Sequence, residues 1–163
     1  MDEAQTTQPH LRAVAAGLAL LADLKRADIL LYELIDEGRV RVVAQAQPHS
    51  VPPIYASSLV GREQSLAELP AVAGVLRGRE AAQGARHLTE HRSHVVQQAY
   101  AVEDKARQRV GVLTVEKSLV EHERHATRRS PFHQALEDLR DMVLRGETAG
   151  MADLSFFDQS DGI

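Results

Sequence analysis

The stretch DILLYELIDEGRVRVVAQAQ, residues 28–47, contains two β-prone runs joined by an acidic turn that includes glycine. The first run, residues 28–35, is almost continuously apolar, which is typical of a strand covered on both faces. The second run, residues 39–47, alternates, as a strand does when its two faces differ. The pattern predicts a β-hairpin with its turn at residues 36–38. One face of the second strand is expected to carry Val40, Val42, Ala44 and Ala46.

Amphipathic helices are predicted near both ends of the chain. Residues 9–24 repeat apolar side chains at three- and four-residue spacing, and Pro9 suits a first helical turn. Residues 131–145 follow Ser130, a typical N-cap, and precede Gly146, a typical residue just past a helix end. The apolar stripe of this second helix is close to a coiled-coil seam. Its members are Phe132, Ala135, Leu136, Leu139, Met142 and Val143.

An irregular segment follows the first hairpin. Residues 47–61 contain three prolines, which disfavours a regular helix or strand. Residues 65–68 match a capping box, but Pro70 would then interrupt the helix ladder. The next helix is therefore predicted to begin near Pro70 and to end near Gly78.

A short strand at residues 84–89 and a second hairpin, formed by residues 94–102 and 108–116, are predicted next. Gly111 lies inside the last strand, where the missing side chain lets another backbone or a ligand approach closely. The order of elements predicts an α+β domain. In it, an antiparallel sheet carries the amino- and carboxy-terminal helices packed together on one side.

Composition excludes several classes of protein. The chain has 163 residues, 44% of them hydrophobic, which suits one globular domain. It has no Cys, so disulfides, thiolate metal sites and cysteine nucleophiles are excluded. The net charge of −4 argues against general nucleic-acid binding. The amino terminus is acidic and polar, and no apolar stretch approaches the ~18 residues of a membrane span. We expect a cytoplasmic protein that binds neither membranes nor nucleic acid.

The histidines do not form a recognisable metal or haem motif. His87, His91 and His94 lie close in sequence, but in a polar stretch typical of a turn between strands. His122 and His125 are one residue too close for the zinc-protease motif. No metal ligands are therefore predicted.

Catalytic carboxylates are not predicted either. Glu33 lies in the first strand, Asp36 and Glu37 lie in a turn, and Glu116 ends a strand. General acid–base chemistry needs a carboxylate in a desolvated pocket, and each of these is expected to be solvated. Glycine-rich phosphate loops and nucleophile elbows are also absent from the sequence, so no catalytic residues are expected.

The remaining candidate is a ligand pocket formed by the irregular segment over the sheet. Such long loops are usually functional or disordered. This one offers an aromatic ring and several hydrogen-bonding groups, and the alternative is a surface loop that binds nothing. The predicted ligand-binding residues are Tyr55, Ser57, Ser58 and Arg62.

The terminal helix is a candidate dimer contact. Its stripe is long enough for one half to join the domain core and the other half to meet a second copy. We expect a homodimer that forms through this helix. The residues predicted for this contact are Phe132, Leu136, Leu139 and Val143.

Several segments resemble a known family. LALLADLKRADILLYEL (residues 18–34) followed by VAQAQP (residues 43–48) resembles the opening of the GAF-like amino-terminal sensory domain of cytoplasmic sensor histidine kinases. Later segments are similar to further landmarks of that domain: VLRGRE (75–80), VGVLTVEKSL (110–119), RRSPFHQALEDL (128–139) and MVLRGE (142–147). FFDQSDGI, residues 156–163, resembles the start of a PAS domain.

The resemblance implies a sensory domain at residues 9–146, followed at residues 147–163 by a linker and the apparent start of a PAS domain. In the family, a kinase region follows, and some members signal to response regulators with RNA-binding outputs. The implied function is sensing of a small ligand and relay of the signal through the terminal helix. The alternative is a ligand-free structural dimerisation module of the same kinase. The parent protein is then a histidine kinase, and this fragment is not itself an enzyme. The ligand or cofactor stays unidentified, because the Asn and Cys signatures of nucleotide- and bilin-binding relatives are missing.

Overall fold

The computed structural model describes residues 8–88, 93–125 and 131–148. Its strands are β1 (Asp28–Asp36), β2 (Arg39–Ala46), β3 (Glu63–Ser65), β4 (Ala81–Leu88), β5 (Ser93–Glu103) and β6 (Arg109–Ser118). Its helices are α1 (Pro9–Ala15), α2 (Leu18–Lys25), α3 (Pro70–Leu76), α4 (Leu119–His125) and α5 (Pro131–Leu144). A 3₁₀ turn, Leu66–Glu68, precedes α3.

The six strands form one sheet in the order β3-β2-β1-β6-β5-β4, with antiparallel neighbours throughout. Both predicted hairpins are confirmed, because β1 pairs with β2 and β5 pairs with β6. In addition, β1 pairs with β6. This central pair joins the two hairpins into one sheet and places Asp28 opposite Glu116.

The terminal helices lie together on one face of the sheet. Both α1 and α2 contact α5, and His10 Nε2 lies 3.0 Å from the carbonyl oxygen of Leu144. The predicted α+β fold, with both terminal helices on the same side, is therefore confirmed. Within the described ranges, no helix is both long and apolar enough to cross a membrane.

The amino-terminal helix is interrupted, so the prediction of one continuous helix over residues 9–24 is wrong. Ala16 and Gly17 form a turn between α1 and α2. Glycine has a low helix propensity. In addition, a Cβ at Gly17 would collide with Thr148 and lie 3.0 Å from Val143 Cγ2. The chain bends at this glycine because the end of α5 and the turn after it pack directly against it.

Two separate cores lie on the two faces of the sheet. The helix-side core lies beneath α1, α2 and α5 and includes Leu11, Val14, Leu21, Ile29, Leu31, Leu113, Val115 and Val143. The loop-side core lies beneath α3 and the loop of residues 47–62 and includes Leu30, Tyr32, Val42, Tyr55, Leu59, Val72, Ala99 and Val112. Strands β1 and β6 contribute alternate residues to both cores, as expected for strands covered on both faces.

A β-bulge changes the faces of β2. Leu31 pairs with Ala44, whereas the next residue of β1, Tyr32, pairs with Val42. Val43 is therefore an extra residue, which reverses the alternation. The predicted common face of β2 is wrong: the loop-side core takes Val40 and Val42, and the helix-side core takes Ala44 and Ala46.

The other predicted elements are confirmed with small changes in their bounds. The helix predicted from Pro70 to Gly78 is α3, and the Ser65 side chain accepts a hydrogen bond from the backbone N–H of Ala67 to cap the 3₁₀ turn. The strand predicted at residues 84–89 begins earlier, as β4.

The predicted end of the last helix is also close to the observed one. Gly146 has φ +72°, and its N–H donates to the carbonyl of Val143 while that of Glu147 donates to Met142. This pair of bonds is a Schellman motif, which ends α5 at Leu144. The predicted N-cap, Ser130, lies outside the described residues.

Gly111 allows the close approach that its position in the sequence suggested. A Cβ at this position would lie 2.5 Å from the carbonyl oxygen of Tyr32 and 2.9 Å from Leu11 Cδ2. The neighbour is backbone of the paired strand, which cannot move without disturbing the central β1–β6 pairing.

We expect Gly111→Ala to lower the free energy of unfolding by about 1–3 kcal/mol, because the added methyl overpacks the central pair. Gly84→Ala in β4 is the matched control, since its Cβ would be 3.4 Å from Ala71 Cβ, an ordinary contact. Urea denaturation of both variants measures the difference. Equal stability of the two would contradict the close approach at Gly111.

Candidate functional site

A row of buried polar side chains crosses the loop-side face of the sheet. Asp28 of β1 lies opposite Glu116 of β6, and Glu116 lies opposite Gln97 of β5. Their exposed fractions are 1%, 0% and 2%, respectively. Such residues are rarely buried unless they have a partner or a function. This row is the candidate site.

The irregular loop covers the row and is held by side chains of β2 and of the chain just after it. Gln47 Nε2 donates to the carbonyl of Tyr55 at 2.6 Å, and Gln45 Oε1 accepts from the N–H of Leu59 at 2.6 Å. The apolar side chains of Tyr55 and Leu59 are buried in the loop-side core, and Ile54 packs against them. The loop is therefore a specific cover over the sheet.

Tyr55 connects this cover directly to the buried row. Its hydroxyl donates to Glu116 Oε1 at 2.6 Å, and the hydroxyl of Thr114 donates to Glu116 Oε2 at 3.0 Å. Both carboxylate oxygens of Glu116 thus accept a hydrogen bond from a hydroxyl. Movement of the loop would take one of these donors away.

Asp28 is only partly satisfied. Its Oδ1 accepts a hydrogen bond from the backbone N–H of Ile54 at 3.0 Å, but its buried Oδ2 has no hydrogen-bond partner among the described residues. Burial raises the pKa of Asp28 to about 6, against the lowering effect of the backbone N–H groups of Ile54 and Tyr55, and the neighbouring Glu116 raises it further. A buried carboxylate oxygen without a donor favours a ligand that brings one.

The expectation that Glu116 is solvated is wrong. The sequence pattern predicts that the strand ends at Glu116, where side chains commonly reach solvent. In the structure, β6 continues to Ser118 and lies between β1 and β5. The alternation of β6 could have indicated this burial, because Glu116 lies on the same strand face as Val112 and Thr114. Asp28 was missed since it begins an apolar run and resembles a strand-capping residue.

The four predicted ligand-binding residues do not come together. Tyr55 lies at the buried row, whereas Ser57, Ser58 and Arg62 are exposed on the outer side of the loop. Ser58 Oγ accepts from the N–H of Val60, which stabilises the loop itself. The side chains that line the buried row, apart from Tyr55, come from strands and are separated widely in sequence: Asp28, Gln45, Gln97, Thr114 and Glu116.

The predicted contact stripe of α5 is divided. Val143 is fully buried in the helix-side core and Leu139 packs against that core. Phe132 is 60% exposed and Leu136 is half-buried. The carboxy-terminal half of the stripe therefore holds α5 on the domain, and the amino-terminal half leaves apolar surface uncovered by the described residues.

A surface groove of about 650 Å³ lies between α5 and the strands β4 and β5. Both acidic and basic side chains line it. Arg140 stacks over the Tyr100 ring at 4.4 Å and pairs with Asp141 at 3.1 Å. Two more of its charged side chains already have ion-pair partners, since Glu103 pairs with Arg109 and Arg145 pairs with Glu147. The groove is therefore a weaker candidate than the buried row. Of the histidine cluster, His94 is exposed, and His91 and the side chain of His87 lie outside the described residues.

The raised pKa of Asp28 predicts a pH-dependent stability. The folded domain keeps the Asp28 proton up to about pH 6, whereas the unfolded chain releases it near pH ~4. Stability from this group is therefore lost as the pH rises from about 4 to 6. We therefore compare the unfolding free energies of Asp28→Asn and wild type in urea titrations. The value for Asp28→Asn minus that for wild type should rise by about 2–3 kcal/mol as the pH increases from ~4.5 to ~7.

Asp36→Asn is the control for this measurement. The backbone N–H of Gly38 and then the Arg39 side chain lower the pKa of Asp36, so its contribution is present above pH ~4 and is lost as the pH falls. The two substitutions should therefore shift the pH profile in opposite directions. A difference between wild type and Asp28→Asn that does not change with pH would show that Asp28 is not a buried acid.

Comparison with known proteins supports the resemblance noted in the sequence. The family model described as "Histidine kinase PdtaS, GAF domain" matches residues 3–136. The sensor histidine kinase PdtaS of Mycobacterium tuberculosis is 36% identical over 92 residues, which are 54% of this chain and 18% of that protein. PdtaS of Mycolicibacterium smegmatis is 29% identical over 153 residues, which are 90% of this chain and 30% of that protein.

Solved structures share the fold. The sensor region of a sensor histidine kinase superposes with a TM-score of 0.56 at 27% identity, covering 88% of this chain and 51% of that one. The transcriptional regulator YaiJ superposes with a TM-score of 0.58 at 12% identity, covering 83% and 93%, which indicates a common fold alone. The chain spans less than a third of the curated relatives that it matches. By the family match over most of its length, the chain belongs to the GAF domains of the histidine kinase PdtaS family.

Proposed function

We propose that this chain is the signal-sensing domain of a cytoplasmic two-component sensor histidine kinase. The domain binds a small ligand beneath the loop of residues 47–62 and relays binding through α5. In the parent kinase, PAS and catalytic regions accompany this domain, and a response regulator receives the phosphoryl group. The observation that carries this proposal is the buried, incompletely satisfied polar row beneath a loop, in a domain of a sensor-kinase family.

The polar row favours a binding role over a purely structural one. Buried Asp28 Oδ2, Gln45 Nε2 and Gln97 Nε2 have no hydrogen-bond partners among the described residues. Each such group costs about 1–3 kcal/mol, and a structural module would gain stability by replacing them with apolar residues. A ligand that supplies the missing partners would recover this free energy on binding.

The two-sided central strands offer a route from ligand to output helix. Asp28 and Glu116 face the loop, while their neighbours Ile29 and Val115 lie in the helix-side core with Val143 of α5. A shift of β1 or β6 on ligand binding would therefore change the packing of α5 against the sheet. Packed interfaces respond to such shifts by exchanging between discrete arrangements.

The exposed apolar side chains on α2 and α5 support a homodimer. Leu20 and Leu24 lie one helical turn apart on α2, which packs against α5, and both are more than one-third exposed. On α5, Phe132 is exposed and Leu136 is half-buried. Two copies of this pair of helices would bury the four apolar side chains in a bundle.

The alternative function is a ligand-free dimerisation module of the same kinase. The position of Tyr55 favours it, because the phenol ring and its hydroxyl already fill space and satisfy Glu116 beneath the loop. The two functions differ in one respect. A sensing domain must open the loop for a ligand, whereas a structural module keeps it closed.

Hydrogen exchange with a compound panel tests the sensing function. Metabolites, cyclic dinucleotides, haem and divalent metals are first screened by thermal unfolding, where a ligand at 100 times its dissociation constant adds ~2.7 kcal/mol. Compounds that stabilise the domain should then slow amide exchange in residues 47–62 more than in β3 or β4. If no compound of any class protects this loop, the structural module replaces the sensing domain as the function.

Phe132→Glu tests the proposed dimer face. The variant should sediment as a folded monomer, because an unpaired charge cannot be buried cheaply between two copies. Gln134→Glu, an exposed position of the same helix, is the matched control and should stay dimeric. Ultracentrifugation gives the mass and circular dichroism gives the fold. If Phe132→Glu stays dimeric, the dimer interface does not include this face of α5. A substitution at Leu139 is unsuitable for this test, because Leu139 packs against the core.

A further inference from the structure

We propose that the ligand of the buried row is a small organic cation with an aromatic or other apolar body and a neutral hydrogen-bond acceptor. Asp28 binds its N–H-bearing cationic group, and Gln97 binds the acceptor. This inference rests on the proposed function and adds the chemical class of the ligand.

The charge of the row determines the sign of the ligand. Asp28 and Glu116 are direct antiparallel partners, so their Cα atoms lie about 4.5–5.5 Å apart on the same sheet face. Two acidic side chains this close, at 1% and 0% exposure, disfavour any anion beside them. A primary ammonium has three donors and no acceptor, which suits the open oxygen of Asp28.

Gln97 provides a second, independent requirement. It is 2% exposed, and its Nε2 has no hydrogen-bond partner among the described residues. An amide nitrogen needs an acceptor, which an ammonium group does not offer. Because Gln97 lies directly opposite Glu116, a carboxylate acceptor would suffer repulsion there. A neutral carbonyl or hydroxyl oxygen fits both neighbours.

The spacing of the strands separates the two groups of the ligand. Asp28 and Gln97 lie on the two strands that flank β6, about 9–10 Å apart across the sheet. Allowing for the reach of both side chains, the ammonium and the acceptor lie several ångströms apart. A benzene ring substituted at its 1 and 3 positions provides this separation.

Tyr55 indicates the apolar body of the ligand. Its ring lies in the loop-side core, and its hydroxyl donates to Glu116 at 2.6 Å. The chain thus places an aromatic ring with a hydrogen-bond donor over its own carboxylates. A ligand with a ring and a stronger, cationic donor is a suitable competitor for the position of the Tyr55 hydroxyl, and the loop closes again over the bound ligand.

Four matched probes test the class with the full chain at pH ~7 by calorimetry. They are 3-(aminomethyl)benzamide, 3-methylbenzamide without the ammonium, benzylamine without the carbonyl, and 3-(aminomethyl)benzoate with a carboxylate acceptor. The first should bind about tenfold or more tightly than each of the other three, because each lacks one hydrogen bond or adds repulsion.

Two substitutions assign the groups. Asp28→Asn should abolish the preference for the aminomethyl amide over 3-methylbenzamide while leaving its preference over benzylamine. Gln97→Met should do the reverse. Glu37→Gln, an exposed turn position, changes a carboxylate to an amide and should leave both preferences unchanged. Because each result is a ratio within one variant, moderate losses of stability do not obscure it.

The outcomes separate this inference from the proposed function. Tighter binding of the benzoate or of 3-methylbenzamide overturns the cationic class. So does protection of residues 47–62 from hydrogen exchange by anionic compounds but not by any amine, although the sensing function then stands. If no compound of any charge protects the loop, both the inference and the sensing function fail.

Discussion

The antiparallel pairing of β1 with β6 is the contact on which the rest of the domain depends. Each hairpin forms between neighbouring segments of the chain, but β1 and β6 are more than 70 residues apart and meet only in the folded domain. Gly111 makes the close approach possible, since a side chain there would press on the Tyr32 carbonyl. The same pairing brings Asp28 and Glu116 together. The β1–β6 pairing therefore both joins the two hairpins into one sheet and forms the candidate site.

Strands β1 and β6 are covered on both faces, and this double coverage joins the two cores of the domain. Alternate residues of one strand contact the loop and the terminal helices. The helix-side core contains Val143 of α5 among its apolar members, and the buried Thr148 lies beside it against Gly17. The loop side combines an apolar core with the polar row.

The buried carboxylates make the domain less stable than an apolar packing would. Burying charge raises the pKa of Asp28 and leaves one of its oxygens without a donor among the described residues. Proteins tolerate such defects mainly where function requires them. Tyr55 moderates the cost by donating to Glu116, which explains how the loop closes over two acids. With the loop closed, the Tyr55 hydroxyl occupies the position beside Glu116 that a ligand would have to take.

Local patterns in the sequence determined the secondary structure, because hydrophobic period, prolines and glycines act over a few residues. They predicted both hairpins, the proline-rich loop, α3 and α5, and with the family resemblance they predicted the fold. They also selected Tyr55 for the site. Tertiary structure alone decided the rest. The approach of α5 broke the first helix at Gly17, the bulge at Val43 divided β2 between two cores, and the β1–β6 register buried Glu116 beside Asp28. Each of these depends on segments far apart in the chain, whose contacts no local pattern encodes.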